Sequence, residues 1–292
     1  MNRRRPPTGC TSLPNPILID RIEDPRLEDY RAVRDRDLLG RDGRPGLFIG
    51  EHLLIVERML ARPGRTKSVL VLPSRLERVA PLVPDDVPLY VAPEAVLRAV
   101  VGFDIHRGVL AVGHRPPDAA HTLEAVLSGH DAAAGTRSAP LTVLVCEDIT
   151  HHDNLGMLFR DAAAFAVDAV LLSPRCHDPL YRRCLRMSIG HALDVPWARA
   201  THWPADLAAL RARWGCTLVA AATGAGSIAL DEAPSPERVA IVVGTERDGL
   251  SGAALALCDM AVRVPMRADV DSLNVAVAAA VCLHRLSRGR RS

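Results

Sequence analysis

Aromatic side chains are scarce in this sequence of 292 residues, which has four phenylalanines, three tryptophans and three tyrosines, or 3% of the chain. A protein that binds nucleic acid by stacking bases on a sheet needs several such rings on one surface. The composition therefore disfavours that mode of binding. Lysine is almost absent as well, since Lys67 is the single one. Together with the alanine excess, we interpret this as a coding bias without functional meaning.

Several diagnostic motifs are missing too. The seven cysteines include no C-x-x-C pair, and several lie in apolar runs, which indicates reduced core residues of a cytosolic protein without a zinc site. No apolar run approaches membrane-spanning length. The first residues, MNRRRPPTGC, lack the apolar core of a signal peptide, and we expect a disordered tail over residues 1–15. The phosphate-binding motif G-x-x-x-x-G-K-[ST] is absent.

From residue 141 onwards, short apolar runs alternate with longer helical patterns. This alternation predicts an α/β domain over residues 141–292, with a parallel sheet covered on both faces. We predict strands over 141–149, 168–174, 195–200, 216–223, 238–244 and 260–266, and helices over 154–167, 179–193, 205–215, 250–258 and from 275. Asp153 or Asn154 could cap the first helix. Ligands of such sheets bind at the carboxyl ends of strands, which directs attention to residues 147–154, 222–227, 244–249 and 265–273.

The front half predicts a small α/β domain over residues 16–115. Its pattern predicts helices over 25–35 and 93–102, a strand running into a helix over 46–61, and strands over 68–73 and 108–114. Residues 116–140 are typical of a linker with one short helix. The net charge of +2 is unevenly spread, with an excess of basic side chains before residue 116. This excess suits a polyanionic partner, and ordinary solvated surface charge explains it equally well.

One glycine-rich stretch resembles a dinucleotide-binding fingerprint. Gly224, Gly226 and Ala229 follow a strand with G-x-G-x-x-A spacing, and Glu246 lies about where a ribose-binding acid is expected. Such a site needs a helix that begins inside the glycine loop, whereas Pro234 and Pro236 follow closely and proline breaks helices. A nucleotide-dependent oxidoreductase is therefore a disfavoured alternative.

Three other segments carry a more specific resemblance. They are NLGMLFRDAAAF from Asn154, VVGTERDGLS around Gly244, and VPMRADVDSLNVAVAAAV from Val264. Read together, in this order and each at a strand's carboxyl end, they resemble the SpoU/TrmH family of S-adenosylmethionine-dependent RNA ribose methyltransferases. The similarity covers residues 141–290. Ala268 stands where many members have glycine.

The resemblance implies a SPOUT-like catalytic domain, whose parallel sheet ends in a C-terminal trefoil knot, and a homodimer with active sites at the interface. The apolar final helix would be buried in the knot and against the partner subunit. The front domain is similar to the RNA-binding domain that often precedes this catalytic domain. The implied protein is a cytoplasmic enzyme that methylates a ribose 2′-hydroxyl of rRNA or tRNA, with neither a metal nor a membrane partner.

The resemblance also assigns roles to individual residues. The implied catalytic residues are Arg160, Asn154, Glu246, Ser272 and Asn274, and the implied S-adenosylmethionine-binding residues are Thr223, Gly224, Gly244, Val264, Met266 and Leu273. Because arginine stays protonated, we expect Arg160 to bind the target phosphate and 2′-oxygen rather than act as a base. Gly244 would let backbone approach a ligand closely.

Simpler interpretations stay open for several of these residues. Asn154 and Ser272 could be helix caps, and Glu246 could form a surface ion pair. His151 and His152 invite a metal interpretation, but no third ligand has a convincing spacing. Two arginine groups could contact RNA phosphates or form solvated helix faces; they are Arg182, Arg183 and Arg186, and Arg285, Arg288, Arg290 and Arg291. A catalytically silent RNA-binding protein of the same fold is the alternative function.

Overall fold

The computed structural model describes residues 15–31, 39–40, 46–101, 108–130, 139–224, 226–245, 248–267, 269–270 and 272–287. The chain forms two compact units, Met1–Arg115 and Pro116–Ser292. The tail expected over residues 1–15 lies, apart from Asn15, outside the described residues. Among the described helices, none is long and apolar enough to cross a membrane.

The first unit contains a five-stranded mixed sheet. Its strands are β1 (Ile17–Leu18), β2 (Leu47–Glu51), β3 (Thr66–Val71), β4 (Leu89–Val91) and β5 (Val109–His114), and its helices are α1 (Leu53–Leu60), α2 (Leu76–Val79) and α3 (Glu94–Val101). The strand order is β1-β4-β3-β5-β2. β5 runs antiparallel to both of its neighbours, while β1, β4 and β3 are parallel. The strand running into a helix that was predicted over residues 46–61 is present as β2 and α1, and the strands predicted over 68–73 and 108–114 are present as β3 and β5. The short β1 and β4 were not predicted.

The helix predicted over residues 25–35 is wrong in its described part. Residues Pro25–Tyr30 form a 3-10 helix, and the following Arg31 has extended backbone. Asp24 caps this turn by accepting a hydrogen bond from the Arg26 amide. Tyr30 is buried in the core, where its hydroxyl lies 2.8 Å from Ser68 Oγ. The short 3-10 helix is enough to bring the Tyr30 side chain into the core, so a longer helix is not needed.

The second unit contains a seven-stranded parallel sheet, as the sequence predicts. Its strands are β6 (Leu141–Cys146), β7 (Ala169–Leu172), β8 (Trp197–Arg199), β9 (Thr217–Ala221), β10 (Ile228–Ala229), β11 (Arg238–Val243) and β12 (Met260–Arg263). Their order is β10-β12-β9-β11-β6-β7-β8, and every pairing is parallel. The central strands β6, β7 and β11 are buried along their whole length. This is the burial expected of a sheet covered on both faces.

Six helices accompany this sheet in the described part of the unit. They are α4 (Leu123–Val126), α5 (His152–Ala164), α6 (Arg182–Met187), α7 (Ala205–Trp214), α8 (Gly252–Leu257) and α9 (Val275–Leu286). The helix predicted over residues 179–193 is shorter, because Ile189 and Gly190 both have positive φ and end it. A 3-10 helix, His191–Leu193, follows.

Residues 116–130 pack on the second unit, although their composition is typical of a linker. A 3-10 helix (Asp118–His121) leads into α4, and Leu123 and Leu127 are buried in the core cluster of that unit. The His121 ring stacks on Trp197 with a centroid distance of 3.6 Å. These contacts extend the folded part of the unit towards residue 116.

The final helix α9 is buried on one face rather than all round. Its inner face consists of Val275, Ala276, Ala279, Cys282, Leu283 and Leu286. Its outer face exposes Val277 and Val281, at 44% and 38% of their surface. Within one chain, the helix therefore keeps an uncovered apolar side.

Candidate functional site

Four neighbouring strands end at the same edge of the second sheet. β12, β9, β11 and β6 are adjacent in that order, and all are parallel. Their carboxyl ends are followed by Val264, Thr223, Gly244 and Glu147 respectively. The sheet thus gathers the starts of all four segments that the sequence singled out, including the one that leads into α5.

A direct hydrogen bond joins the first and third of the family-like segments. Asn274 Nδ2 donates to Asn154 Oδ1 at 3.0 Å, across 120 positions of sequence. Asn154 lies in the first turn of α5, and Asn274 immediately precedes α9. Two candidate catalytic residues are therefore in contact where the N-terminal ends of α5 and α9 meet.

The capping roles differ from those considered for the sequence. The N-cap of α5 is His151, without a side-chain cap, so neither Asp153 nor Asn154 caps this helix. The N-cap of α9 is Asn274, whose Oδ1 accepts from the Ala276 amide at 3.0 Å. Ser272 lies two residues earlier and is exposed. A capping role for Ser272 is thus wrong.

Gly244 has a structural reason to lack a side chain. A Cβ atom there would lie 2.2 Å from the carbonyl oxygen of Gly249 and 2.7 Å from the Leu250 nitrogen. Thr245 and Gly249 exchange two backbone hydrogen bonds of 3.1 and 3.0 Å, which folds this loop back against Gly244. Gly249 allows the turn through its φ of +65°. The close approach at Gly244 is thus made by the chain itself, and Glu246 lies outside the described residues.

Glu147 is a buried carboxylate that the sequence reasoning did not identify. It follows β6 and is only 3% exposed. Its Oε1 accepts from Ser251 Oγ and from Trp203 Nε1, both at 2.7 Å, and its Oε2 accepts from the Ser251 amide at 2.8 Å. Ser251 in turn caps α8. Glu147 therefore ties the end of the Gly244–Leu250 loop to β6. In the sequence, an acidic residue directly after the apolar run of β6 was the feature that could have identified Glu147.

The loop after β9 is also tied to the end of strand β12. The Arg263 guanidinium donates to the Ser227 carbonyl. Thr223 and Gly224 are exposed, and a Cβ atom at Gly224 would meet nothing within 4 Å. Val264, Met266 and Leu273 are half-buried. The candidate cofactor residues thus offer backbone groups and partly exposed apolar side chains at one edge of the sheet.

Arg160 is exposed in the third turn of α5. Its neighbour Asp161 is half-buried, and this burial raises the pKa of the Asp161 carboxyl to about 6, although Arg160 opposes the shift. Arg160 lies six positions after Asn154, which is about 9 Å along a helix. The side chain of Asn154 accepts a hydrogen bond from Asn274.

The glycine-rich stretch does not form a dinucleotide site. After Gly226, whose φ is +92°, the chain enters strand β10 and then a 3-10 helix at Leu230–Glu232. A pyrophosphate site of this type needs an α-helix N-terminus at that point. The structure therefore excludes a dinucleotide-binding site at this glycine-rich stretch.

The remaining candidates divide between structural and surface roles. Arg285 donates to Ser235 Oγ and to the carbonyls of Asp231 and Ala233, which gives it a structural role. Arg183 forms a two-pronged ion pair with Asp153, at 2.6 and 2.5 Å. Within the described residues, no group of three or more His, Cys, Asp or Glu could hold a metal ion. Arg288, Arg290 and Arg291 lie outside the described residues.

Comparison with known proteins agrees with this arrangement. A model of the SpoU rRNA Methylase family matches residues 141–284. A protein of Mycobacterium tuberculosis (strain CDC 1551 / Oshkosh), described as an uncharacterized tRNA/rRNA methyltransferase, is 41% identical over 280 residues, which is 91% of this chain and 90% of the relative.

Solved structures share the fold over most of the chain. An AdoMet-bound rRNA methyltransferase from Sinorhizobium meliloti has a TM-score of 0.75 at 21% identity, and the match covers 95% of this chain and 99% of that one. A structure described as an RNA 2′-O ribose methyltransferase has a TM-score of 0.71 at 26% identity, with coverages of 94% and 99%.

Proposed function

The chain belongs to the SpoU rRNA methylase family, a family of RNA methyltransferases, and we propose that it transfers a methyl group from S-adenosylmethionine to a ribose 2′-hydroxyl of rRNA or tRNA. The observation that carries this proposal is the Asn274–Asn154 hydrogen bond of 3.0 Å. It joins two family segments at the sheet edge where the Gly244 loop also lies. The similarity to the RNA 2′-O ribose methyltransferase supports the choice of the ribose oxygen.

The residues at this edge fit a nucleoside-containing cofactor. Partly exposed apolar side chains suit a flat heterocycle, and backbone groups beside glycine suit its polar edges. The residues that we propose to hold S-adenosylmethionine are Thr223, Gly224, Gly244, Val264, Met266 and Leu273. When bound, this cofactor supplies a methyl group already activated on a sulfonium.

The protein then has to orient the ribose oxygen and stabilise the charge that develops on it. We assign this task to Arg160, whose exposed guanidinium can donate to a phosphate and to the 2′-oxygen at once. Arginine stays protonated, so water or a phosphate oxygen takes the proton. Asn154 and Asn274 hold the start of α5 against the start of α9. Ser272 and Glu246 are assigned to substrate contact and orientation.

The rest of the proposal concerns the assembly. The exposed valines of α9 suit a homodimer interface, because large apolar side chains side by side favour burial. The trefoil knot, the RNA-binding role of residues 16–115 and a cytoplasmic location belong to the same proposal, and all rest on the family resemblance. The buried free cysteines among the described residues suit a reducing compartment.

Incubation of the protein with labelled S-adenosylmethionine and total RNA tests the reaction. A 2′-O-methyl group blocks alkaline cleavage at its own nucleotide, because that cleavage needs the free 2′-oxygen. We expect the label in alkali-resistant dinucleotides, and nuclease mapping then identifies the RNA and the position. Label recovered in single nucleotides would indicate base methylation, and RNA binding without transfer would favour the silent RNA-binding alternative.

Arg160→Lys tests the assigned role of the guanidinium. Lysine keeps the charge but loses the planar fork that can bind two oxygens at once. We expect the turnover number to fall by about 100-fold or more, as when a transition-state hydrogen-bond donor is removed. Arg213→Lys is a matched control on the exposed surface of α7, where Arg213 pairs with Glu124. Near-normal turnover by Arg160→Lys would refute the role.

A further inference from the structure

Three ring side chains converge at the start of α5. The rings of His152 and His177 are stacked, with centroids 3.9 Å apart and planes 19° apart. The Tyr181 ring lies 5.5 Å from His152 with an interplanar angle of 24°, and 6.3 Å from His177. Because the His177–Tyr181 distance is well below the sum of the two other centroid distances, the three rings do not form one column. His177 stacks on His152, and the plane of the Tyr181 ring is tilted by 24° from His152 and by 37° from His177. We call this group the ring cluster.

The loop that carries His177 is firmly held. The Arg199 guanidinium donates to four of its carbonyl oxygens, those of Ser173, Pro174, Cys176 and His177, at 2.9 to 3.3 Å. The His177 amide donates to the Ile149 carbonyl at 2.9 Å. The ring cluster is therefore built on a fixed backbone, and little conformational entropy is lost when a ligand stacks on it.

One ring of the cluster belongs to the same helix turn as a candidate catalytic residue. His152 is two positions before Asn154, which bonds to Asn274. Two arginines lie two positions from members of the cluster along the chain, Arg175 before His177 and Arg183 after Tyr181. Arg175 pairs with Asp148 yet keeps 80% of its side chain exposed, and Arg183 pairs with Asp153 and keeps 61% exposed. The cluster thus combines half-buried ring surfaces with exposed guanidinium groups.

We propose that the ring cluster of His152, His177 and Tyr181 receives a nucleobase of the substrate RNA, stacked on the rings, while Arg175 and Arg183 contact the adjoining phosphates. This inference rests on the proposed function, because it takes RNA as the substrate. Stacking on rings together with guanidinium contacts to phosphates is the usual way proteins bind single-stranded nucleic acid.

The protonation state of His177 favours stacking on a base. Burial, reinforced by His152, His151 and Arg199, lowers the pKa of His177, so its ring is neutral at pH 7. A neutral imidazole has a π face that stacks on a base as other aromatic rings do. The scarcity of Phe, Trp and Tyr in the sequence argued against stacking, but it did not count histidine. Here two of the three rings are histidines.

Single substitutions that remove or keep a ring test the proposal. We expect His152→Ala and Tyr181→Ala each to raise the KM for total RNA by about 5- to 150-fold, the loss expected when one stacking ring is removed. The dissociation constant for S-adenosylmethionine, measured by calorimetry, should not change. His152→Phe and Tyr181→Phe keep a ring and should restore most of the RNA affinity. His130→Ala is a control histidine on a different segment.

A second readout reports stacking directly. The fluorescence of 2-aminopurine in a short single-stranded oligoribonucleotide is quenched when the base stacks on a ring. Wild-type protein should quench it, His152→Ala should quench it less, and His152→Phe should quench it as the wild type does. Unchanged KM and quenching in both alanine variants would overturn the proposal. Equal losses of RNA affinity and of quenching in the alanine and phenylalanine variants would also overturn the proposal. They would show that the native side chains are needed for the packing of the loop rather than for stacking on a base.

The two readouts separate this inference from the proposed function. If wild-type protein transfers no methyl group to any RNA, the proposed function fails. Quenching that depends on the His152 ring would then still support the ring cluster as a base-binding surface. If methyl transfer is normal in the alanine variants, the proposed function stands and the ring cluster is refuted.

Discussion

The side chain of Asn274 performs two separate tasks with its two polar atoms. Oδ1 caps α9, and Nδ2 bonds to Asn154. Asn274→Asp separates them, because aspartate caps as well as asparagine does but has no amide to donate. We expect an unfolding temperature near that of the wild type. Methyl transfer should fall by about 10- to 100-fold, because the N-terminal ends of α5 and α9 are no longer held in their exact relative positions.

Two further variants sharpen this test. Asn274→Ala loses both tasks, so its unfolding free energy should fall by about 1 kcal/mol in addition to the loss of transfer. Ser272→Ala should leave stability unchanged, since Ser272 is exposed and caps no helix. Full activity in Asn274→Asp would show that the direction of the Asn154–Asn274 bond is not essential, because Asn154 can turn its amide and donate to the aspartate.

Asp161 makes stability depend on pH. Its folded-state pKa is about 6 against a model-compound value of 3.8, because the carboxyl is half-buried. Between these values the folded chain holds a proton that the unfolded chain has lost. The free energy of unfolding therefore falls as pH rises through this window.

Asp161→Asn removes this pH dependence, because asparagine is neutral at every pH. Its unfolding temperature should exceed that of the wild type above pH 7, and the difference should vanish towards pH 4. Thermal unfolding followed by circular dichroism at several pH values measures this. A difference that is constant with pH, or that grows as pH falls, would contradict the raised pKa.

At the scale of elements, the loop after β11 depends on contact between two stretches of backbone. Gly244→Ala would place a methyl group 2.2 Å from the Gly249 carbonyl oxygen. Backbone cannot move aside as the end of a flexible side chain can, so the loop must open. We expect the unfolding free energy to fall by about 1–3 kcal/mol, as for other overpacked sites, and cofactor affinity measured by calorimetry to fall with it.

Gly252→Ala is the matched control for that substitution. Gly252 is the first residue of α8, just beyond the same loop, and a Cβ atom there would meet nothing within 4 Å. Alanine also favours helix, so this variant should be neutral or slightly more stable. If Gly244→Ala were as stable as Gly252→Ala, the close backbone approach would be wrong.

The sequence predicted most strands and helices of the second unit, because buried strands and amphipathic helices have distinct periods. It did not predict the two-residue strand β10, which is too short to show any period. It also overextended the helix after residue 179, since positive φ at Ile189 and Gly190 is a tertiary outcome. The helix caps were misassigned because several polar residues near each helix start could serve equally well.

The candidate site was predicted as a set of loops but not as a set of contacts. Which strand lies next to which is set by packing between distant segments, so the Asn154–Asn274 bond could not be read from either segment alone. Gly244 was expected to make room for a ligand, yet the chain itself occupies that space. Glu147 was passed over because three buried hydrogen bonds to one carboxylate appear only in the folded chain.

At the scale of the whole molecule, the site and the proposed dimer interface share two helices. α5 carries Arg160 and packs against α9, whose outer face exposes Val277 and Val281. These valines are four positions apart, so they lie on one side of the helix. A partner subunit seated there would lie beside the residues proposed for catalysis.

Val281→Arg tests this arrangement, because a charged side chain cannot be buried in an apolar interface without a large penalty. We expect the wild type to sediment as a dimer and the variant as a monomer, with methyl transfer reduced in parallel. Leu255→Arg, at a position on α8 that is 40% exposed, is the matched control and should stay dimeric and active. A dimeric Val281→Arg protein would place the interface elsewhere, and a fully active monomer would show that one chain builds the whole site.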